Sequence, residues 1–305
     1  MEIHIKTGRS KDEEVLKQVK EYGRITSRRG KEIILESEGK LKKLLDELGK
    51  IKGVTDVYHI KPHLKKKGTK IKEAFRLNRC VLVFDVDSTL TRGSPGTIHP
   101  KIKPIFDSIR ARGIWIFIAT GRSMSDAINL SQEYGRAGYA IAENGGIITG
   151  FGKAGYHKFG DKKEPKKILE YLREKYRVRE DMDQDIRITE VIFKKKDVSM
   201  KKIREAKNST KVDVDIHASK NAYHISKHAI NKGTAMLWLV EKLDIGDQLV
   251  IAVGDADMDI PMFKLAGYSY AVGNASNNAK KAAKSVLKGK YEKSIEDLFK
   301  RISDA

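Results

Sequence analysis

The 305-residue chain carries 61 Lys and Arg against 41 Asp and Glu, a formal net charge of +20, with 40% hydrophobic and 33% charged residues. That balance excludes a disordered chain, and no apolar run approaches the roughly 20 residues of a spanning helix. A single cysteine, Cys80, excludes an intramolecular disulfide and fits a reducing cytoplasm, and the opening MEIHIKTGRSKDEE lacks the apolar stretch of a secretory signal. The positive excess admits three readings: a nucleic-acid partner, a small anionic substrate, or a solvated surface.

Residues 1–60 read as a small α+β unit. IHI at 3–5 is a short strand, and KDEEVLKQVKEY at 11–22 places Val15, Val19 and Tyr22 at helical spacing. RITS and EIILES are strands joined at Arg29 and Gly30, a hairpin signal. KLKKLLDELGKI at 40–51 reads as a second amphipathic helix, and VTDVYHI as a fourth strand. The order βαββαβ is ferredoxin-like, and IKGVTDV resembles ACT-type regulatory modules. The unit therefore reads as a regulatory or dimerising module, through which a homodimer would form. Residues 61–78 are polar and strongly basic and read as a linker.

From residue 79 the texture changes. CVLVFDVDSTL opens with a continuous apolar run, as a strand buried on both faces of a parallel sheet does. A helix at 100–111, the strand GIWIFIAT, a helix from Ser123 and the strand YAIAENGG follow. After residue 231 the rhythm returns: helix TAMLWLVEKL, strand QLVIAVGD, helix DIPMFKLA, strand YSYAVG and helix SNNAKKAAK. Such alternation predicts an open, doubly wound parallel sheet built from residues 79–146 and 232–305. Between them, residues 147–231 read as an inserted α/β domain of their own. Its elements are a strand pair around GFGKAG, the helix PKKILEYLREKY, the strand RITEVIFKK, the helix VSMKKIREAK and the strands VDVDIHAS and AYHIS.

The candidate chemistry sits at strand ends. Asp85 and Asp87 directly follow the first apolar strand, where ligands bind in such sheets. At i and i+2 on extended chain they point the same way and repel unless a cation lies between them. All-oxygen ligands of this kind suit Mg²⁺. One carboxylate can then attack phosphorus while the other handles the leaving-group proton. Thr120 and Gly121, ending the strand of IFIATGRS, offer a hydroxyl and backbone N–H groups to a phosphate oxygen. Asp255, Asp257 and Asp259 crowd a third strand end, a poor arrangement without a cation. Lys232, just before a helix, supplies positive charge.

In this order FDVDSTL, ATGR, NKG and GDADMD resemble the four motifs of the haloacid dehalogenase superfamily, over residues 79–305. The resemblance implies an Mg²⁺-dependent phosphatase with a Rossmann-like core, working through an aspartyl-phosphate on a small phosphorylated acid or sugar. It casts Asp85 as nucleophile and metal ligand, and Asp87 as general acid/base that also gives its backbone carbonyl to the metal. Asp255 and Asp259 become the distal metal acids, and Thr120, Gly121 and Lys232 phosphate ligands. An insertion after ENGG at 143–146 is similar to the large α/β cap of one superfamily class. Within that class, RITEV, NAYHISKHAINKG and GDADMDIPMF look most like archaeal phosphoglycolate phosphatases. Asn144 and Arg187 are then the substrate-side candidates, with the Arg187 fork suited to a carboxylate. Two residues depart from the pattern of that resemblance: Ser88, where it often has Gly, and Met258, where it has Asn beside the last Asp.

GFGKAG at 150–155 matches a dinucleotide fingerprint, but no helix signal follows it, so it reads as a glycine-rich hairpin. His224 and His228, four apart in a strand-like stretch, are not read as a metal pair. The charge also divides. Residues 1–78 carry a net +9 and residues 147–231 a net +8, so the two core pieces are almost neutral. A basic insertion over a neutral metal site suits small phosphate esters. The alternative is a nucleic-acid-binding protein working through its basic N-terminal region, with phosphatase activity secondary; no recognised nucleic-acid motif accompanies it.

Overall fold

The structure is a computed structural model, and it describes residues 2–7, 13–22, 24–29, 32–36, 54–59, 71–93, 96–178, 186–219, 221–245 and 248–303. The chain divides into two compact units, Met1–Lys65 and Lys66–Ala305.

The first unit contains β1 (Glu2–Thr7), α1 (Glu13–Lys20), β2 (Arg24–Arg29), β3 (Glu32–Glu36) and β4 (Val54–His59). The strands form one antiparallel sheet in the order β2-β3-β1-β4. Ile5 pairs with Ile33 on one side and Val57 on the other. Ile5, Val15 and Val19 are fully buried, as the helical spacing of the two valines predicts. The helix expected over 40–51 lies outside the described residues, as do residues 61–70 of the basic stretch. The rest of that stretch includes the short helix α2 (Ile71–Arg76), which buries Ala74 and Phe75.

The second unit is built on an eight-stranded sheet. Its strands are β5 (Cys80–Phe84), β6 (Trp115–Ala119), β7 (Ala140–Ala142), β8 (Ile147–Thr149), β9 (Tyr156–Lys158), β13 (Leu249–Gly254), β14 (Tyr268–Ala271) and β15 (Ser285–Val286). They run in the order β15-β14-β13-β5-β6-β7-β8-β9. The pairs from β15 to β7 are parallel, and β7-β8 and β8-β9 are antiparallel. β5 is buried along its whole length, which explains its unbroken apolar run. From β5 the chain winds outward through β6 and β7, then returns to build β13, β14 and β15 on the other side. The strand order reverses beside β5, which makes its carboxyl end the switch point where open α/β sheets bind ligands.

Helices α3 (Ile102–Ala111), α4 (Met124–Tyr134), α7 (Lys232–Lys242), α8 (Ile260–Leu265), α9 (Asn277–Ala282) and α10 (Glu292–Ser303) complete this layer. Phe106 of α3 packs its ring 4.8 Å from that of Phe84, and Ile295, Leu298 and Ile302 of α10 are buried beside them.

The insertion has its own smaller sheet. β10 (Glu190–Lys194), β11 (Val214–Ala218) and β12 (Ala222–Lys227) pair antiparallel in the order β10-β12-β11. α5 (Lys163–Tyr176) and α6 (Met200–Thr210) cover one face, where Ile168, Leu172, Ile203, Val191, Phe193 and Ile225 share a core. By the two-residue period of a strand, Glu190, Ile192 and Lys194 point the other way, and so does His224, paired opposite Ile192.

One boundary differs from the sequence expectation. The strand pair at 147–158 does not join the insertion's sheet; as β8 and β9 it extends the large sheet, Ile141 pairing with Ile148. The apolar Ile147 and Ile148 find their burial there. The GFGKAG segment is the hairpin loop between them, with Gly150, Gly152 and Gly155 all at positive φ, and no helix begins there. Among the described residues no helix is long and apolar enough to cross a membrane.

Candidate active site

Four chain segments meet at the carboxyl end of β5. Asp85 continues β5, its N–H donating to the Val253 carbonyl of β13 at 2.9 Å, so the sheet itself aims the side chain. Lys232 opens α7. Asn231 caps that helix, its Oδ1 accepting from the N–H groups of Gly233 and Thr234 at 3.0 Å each. Gly233 lets α8 approach, since a Cβ there would stand 2.5 Å from the Pro261 backbone. Thus NKG is explained residue by residue: a cap, a cation, and a gap for the neighbouring helix.

Lys232 Nζ bridges two carboxylates, donating to Asp85 Oδ1 at 2.6 Å and Asp259 Oδ1 at 2.8 Å. All three side chains are buried. Burial alone would lower the lysine, but Asp259 and Asp85 outweigh it and hold the ammonium above its ordinary range. Asp259 is fully committed, because its Oδ2 also accepts from the N–H groups of Asp255 and Ala256 at 3.0 Å each. Asp255 lies beside them, and Asp85, Asp255 and Asp259 each offer an oxygen within 4.8 Å of the others. Burial pushes Asp85 up to about 7, with Lys232 pulling against the push of Asp259. Burial, then Asp85 and Asp259, push Asp255 up to about 9. Asp85 Oδ2 is buried with no hydrogen-bond partner. A crowded set of oxygen donors, one of them unsatisfied, is the chemistry that a hard divalent cation such as Mg²⁺ completes. The residues fit that ion.

Asp87 is held differently. Its carboxylate takes a fork from Arg122, Nε to Oδ2 at 3.0 Å and Nη2 to Oδ1 at 2.7 Å, and its side chain is outside the three-carboxylate cluster. Arg122 also donates to the Gly96 carbonyl at 2.6 Å. Sequence reasoning stopped at Thr120 and Gly121 and missed this arginine, although it follows them directly. Thr120 is fully buried, its Oγ1 accepting from the Arg122 N–H at 3.1 Å; Gly121 and Arg122 are the members of that loop that line the cavity. Asp257, the middle acid of GDADMD, turns outward to accept from Ser276 and Asn278.

The cavity measures about 250 Å³. Its floor is Asp85, Asp87, Ser88 and Asp255, from loops at the ends of the large sheet's strands, and Lys232 from α7; Met258 also lines it. Its roof is Arg187, Ile192, Lys194, Ser219, Asn221 and His224 from the insertion. Asn144 stands between the two. Gly121 makes room for it, since a Cβ there would meet Asn144 Oδ1 at 2.7 Å. Asn144 Nδ2 donates to Glu190 Oε2 at 3.0 Å, and Arg187 Nη1 donates to Glu190 Oε1 at 2.6 Å and to the Gly121 carbonyl. The two expected substrate-side residues therefore meet through Glu190, which sequence reasoning assigned no role. Neighbouring Glu143 binds the insertion from the core side, accepting from the N–H groups of Ile188 and Thr189 and from the Thr189 hydroxyl. His224 and His228 have separate partners, Glu190 and Asp215. A larger groove, about 400 Å³, lies at the amino end of β6 around Trp115 and Arg136, but no carboxylate lines it.

Ser88 occupies a strained position, with φ at 65°. Its turn is pinned by Thr91, whose Oγ1 accepts the Ser88 N–H at 3.1 Å, and by Asn274, whose amide donates to the Ser88 carbonyl at 2.7 Å.

Known proteins agree with this architecture. The chain is 32% identical over 207 residues to a phosphoglycolate phosphatase of Nitrosopumilus maritimus, covering 68% of this chain and 89% of that one. It is 30% identical over 213 residues to a phosphoglycolate phosphatase of Methanococcoides burtonii, covering 70% and 91%. A crystal structure of Thermoplasma acidophilum 0175 shares the fold, with a TM-score of 0.63 and 23% identity, covering 73% of this chain and 97% of that one. The haloacid dehalogenase-like hydrolase family matches residues 82–180 and 174–299, and with the four motifs in place, three at strand ends and one at a helix opening, the chain belongs to that family, as a phosphatase of the superfamily.

Proposed function

We propose that this chain is an Mg²⁺-dependent phosphomonoesterase that works through an aspartyl-phosphate on a small phosphorylated acid, with phosphoglycolate as the first substrate to test. The single observation that carries the reading is the unsatisfied, buried Asp85 Oδ2, beside Asp255 and within reach of the Lys232 bridge.

In this reading Asp85 attacks phosphorus, the ester P–O bond breaks, and the leaving oxygen takes a proton from Asp87. Water then attacks the phosphoryl group on Asp85, gives its proton back to Asp87, and releases phosphate. Lys232 holds Asp85 in line and offers positive charge to the phosphoryl oxygens. Asp87 must leave its fork with Arg122 to reach the leaving oxygen, so the fork marks a resting arrangement. Asp85, Asp255 and Asp259 would hold Mg²⁺, with Asp259 also fixing their loop. When bound, the ion supplies the countercharge that lets these carboxylates ionise together.

The sign of the roof supports an acidic substrate. Among the described residues, the insertion lines the cavity with Arg187, Lys194 and His224 and with no carboxylate. The cavity volume favours a ligand of a few carbons. In the same proposal the three-stranded insertion is the cap that covers the site, and residues 1–60 are a ferredoxin-like regulatory or dimerising module. The test is a panel of phosphate esters with purified protein and Mg²⁺, phosphoglycolate first, phosphate release being the readout. Hydrolysis that chelation abolishes is expected; no release from any ester would end the proposal.

A further inference from the structure

Glu190 is the only fully buried carboxylate on the cavity-facing side of the insertion's sheet among the described residues, and each of its oxygens has a separate task. Oε1 holds Arg187 Nη1 at 2.6 Å, the same nitrogen that donates to the Gly121 carbonyl of the core. Oε2 faces His224 Nδ1 at 3.2 Å and Asn144 Nδ2 at 3.0 Å. Asn144 Nδ2 also stands 3.2 Å from His224 Nδ1, so Nδ1 faces both of these groups and Nε2 is the ring nitrogen outside the cluster. Burial would raise Glu190, but His224, Arg187 and Asn144 outweigh it and keep the carboxyl below its ordinary value.

Two unsatisfied atoms lie on the groups that Glu190 holds. Arg187 Nε and Asn144 Oδ1 are both buried and without a hydrogen-bond partner, and both residues line the cavity. Buried polar atoms are rarely left so, and these two belong to residues whose other atoms line the cavity. A carboxylate or phosphoryl oxygen would satisfy Arg187; a hydroxyl, or the protonated oxygen of an acid, would satisfy Asn144.

We propose that Glu190 is the positioning residue for specificity: by clamping Arg187, His224 and Asn144 at once, it presets the roof for esters that carry a second anionic group away from the phosphate. The proposal rests on the phosphatase reading above. It assigns discrimination to a side chain that need not touch the substrate. It also ties that discrimination to the roof's contact with the core, because the Arg187 nitrogen that Glu190 holds also donates to the Gly121 carbonyl. A neutral ester of the same size draws on the floor alone and gains little from the clamp.

The experiment compares phosphoglycolate with ethyl phosphate, a neutral-chain ester of similar size, in the full-length protein with Mg²⁺. Glu190→Gln keeps the shape, but if its amide oxygen faces Arg187 its NH2 faces His224 and Asn144, and the reverse orientation points the NH2 at Arg187. The expected result is a kcat/KM for phosphoglycolate lower by about 30-fold, mostly through KM, and a selectivity ratio over ethyl phosphate lower by at least ~10-fold. His224→Gln, on the cavity face, should lower the same ratio, and it carries the test if Glu190→Gln does not fold. Equal losses on both esters, or an unmoved ratio, would overturn the proposal while leaving the phosphatase reading intact. Wild-type protein that cleaves neither ester would remove both.

Discussion

The floor and the roof of the cavity are charged by different means. On the floor, the backbone places the charges: Asp85 follows a central strand, Asp259 is pinned by two N–H groups, and Lys232 is the first residue of a capped helix. On the roof, side chains place one another, with Glu190 at the centre. Backbone placement fixes charges in a dry setting before any substrate arrives, as stabilising a transition state requires. Side-chain placement can be retuned by one substitution, as choosing among substrates requires. The division suits a fold in which one chemistry serves many esters.

The largest expected break on the floor is Asp85→Asn. Turnover of p-nitrophenyl phosphate with Mg²⁺ should fall by roughly 10³-fold or more, since the attacking oxygen is lost. Undiminished turnover would separate the carboxylate cluster from the chemistry.

Lys232→Met tests the same floor through stability. It leaves Asp85 and Asp259 buried without their shared cation, a loss of about 3–5 kcal/mol. Urea unfolding in the presence of a chelator measures it. Added Mg²⁺ should return part of the loss by binding the folded state alone. A change below about 1 kcal/mol would mean that Lys232 is not the partner these carboxylates depend on.

This contrast also explains how much the sequence disclosed. Asp85, Asp255, Asp259 and Lys232 were legible because each is fixed to a local signal, an apolar strand ending or a helix opening, and local signals survive in one dimension. The large sheet was legible for the same reason. Glu190 and His224 were not: they become neighbours only when β10 pairs with β12 in a particular register, Ile192 opposite His224, and no local pattern announces a register. Arg122 could have been found, since it directly follows Thr120 and Gly121. The strand pair of β8 and β9 was recognised, but its sheet was not, because an apolar hairpin carries no mark of which sheet it will extend.

A smaller effect separates the roof's edge strand from its lining. Asp215, in β11, accepts from His228 Nδ1 at 2.8 Å and from the Ala229 N–H at 2.9 Å. Burial works against its charge, but these partners outweigh it and lower the carboxyl to about 2, from 3.8. A depressed carboxyl stabilises the fold fully above pH ~4, and that contribution is lost as pH falls toward 2. With part of the pair open to water, the contribution is about 1 kcal/mol. Asp215→Asn should therefore flatten thermal stability between pH 4 and 2, and phosphatase activity at neutral pH should change far less than in the floor variants. An unchanged acid limb would assign acid sensitivity to other carboxylates.

The smallest effect concerns the turn that carries the floor. Ser88 stands at a left-handed φ of 65°, where a side chain costs about 1 kcal/mol relative to glycine. Ser88→Gly removes that strain but gives the unfolded chain more freedom, which offsets about half of the gain. A net stabilisation of roughly 0.5 kcal/mol is expected by chemical denaturation, small because Thr91 and Asn274 already hold the turn from both sides. Turnover decides what the serine is for, because Ser88 also lines the cavity. Turnover within about twofold of wild type, with the stability gain, makes Ser88 a tolerated substitute for glycine at a backbone-placed site. A clear fall in turnover despite the gain would put its hydroxyl among the groups that meet the phosphate, and the floor would then include one side chain whose placement cost stability to obtain.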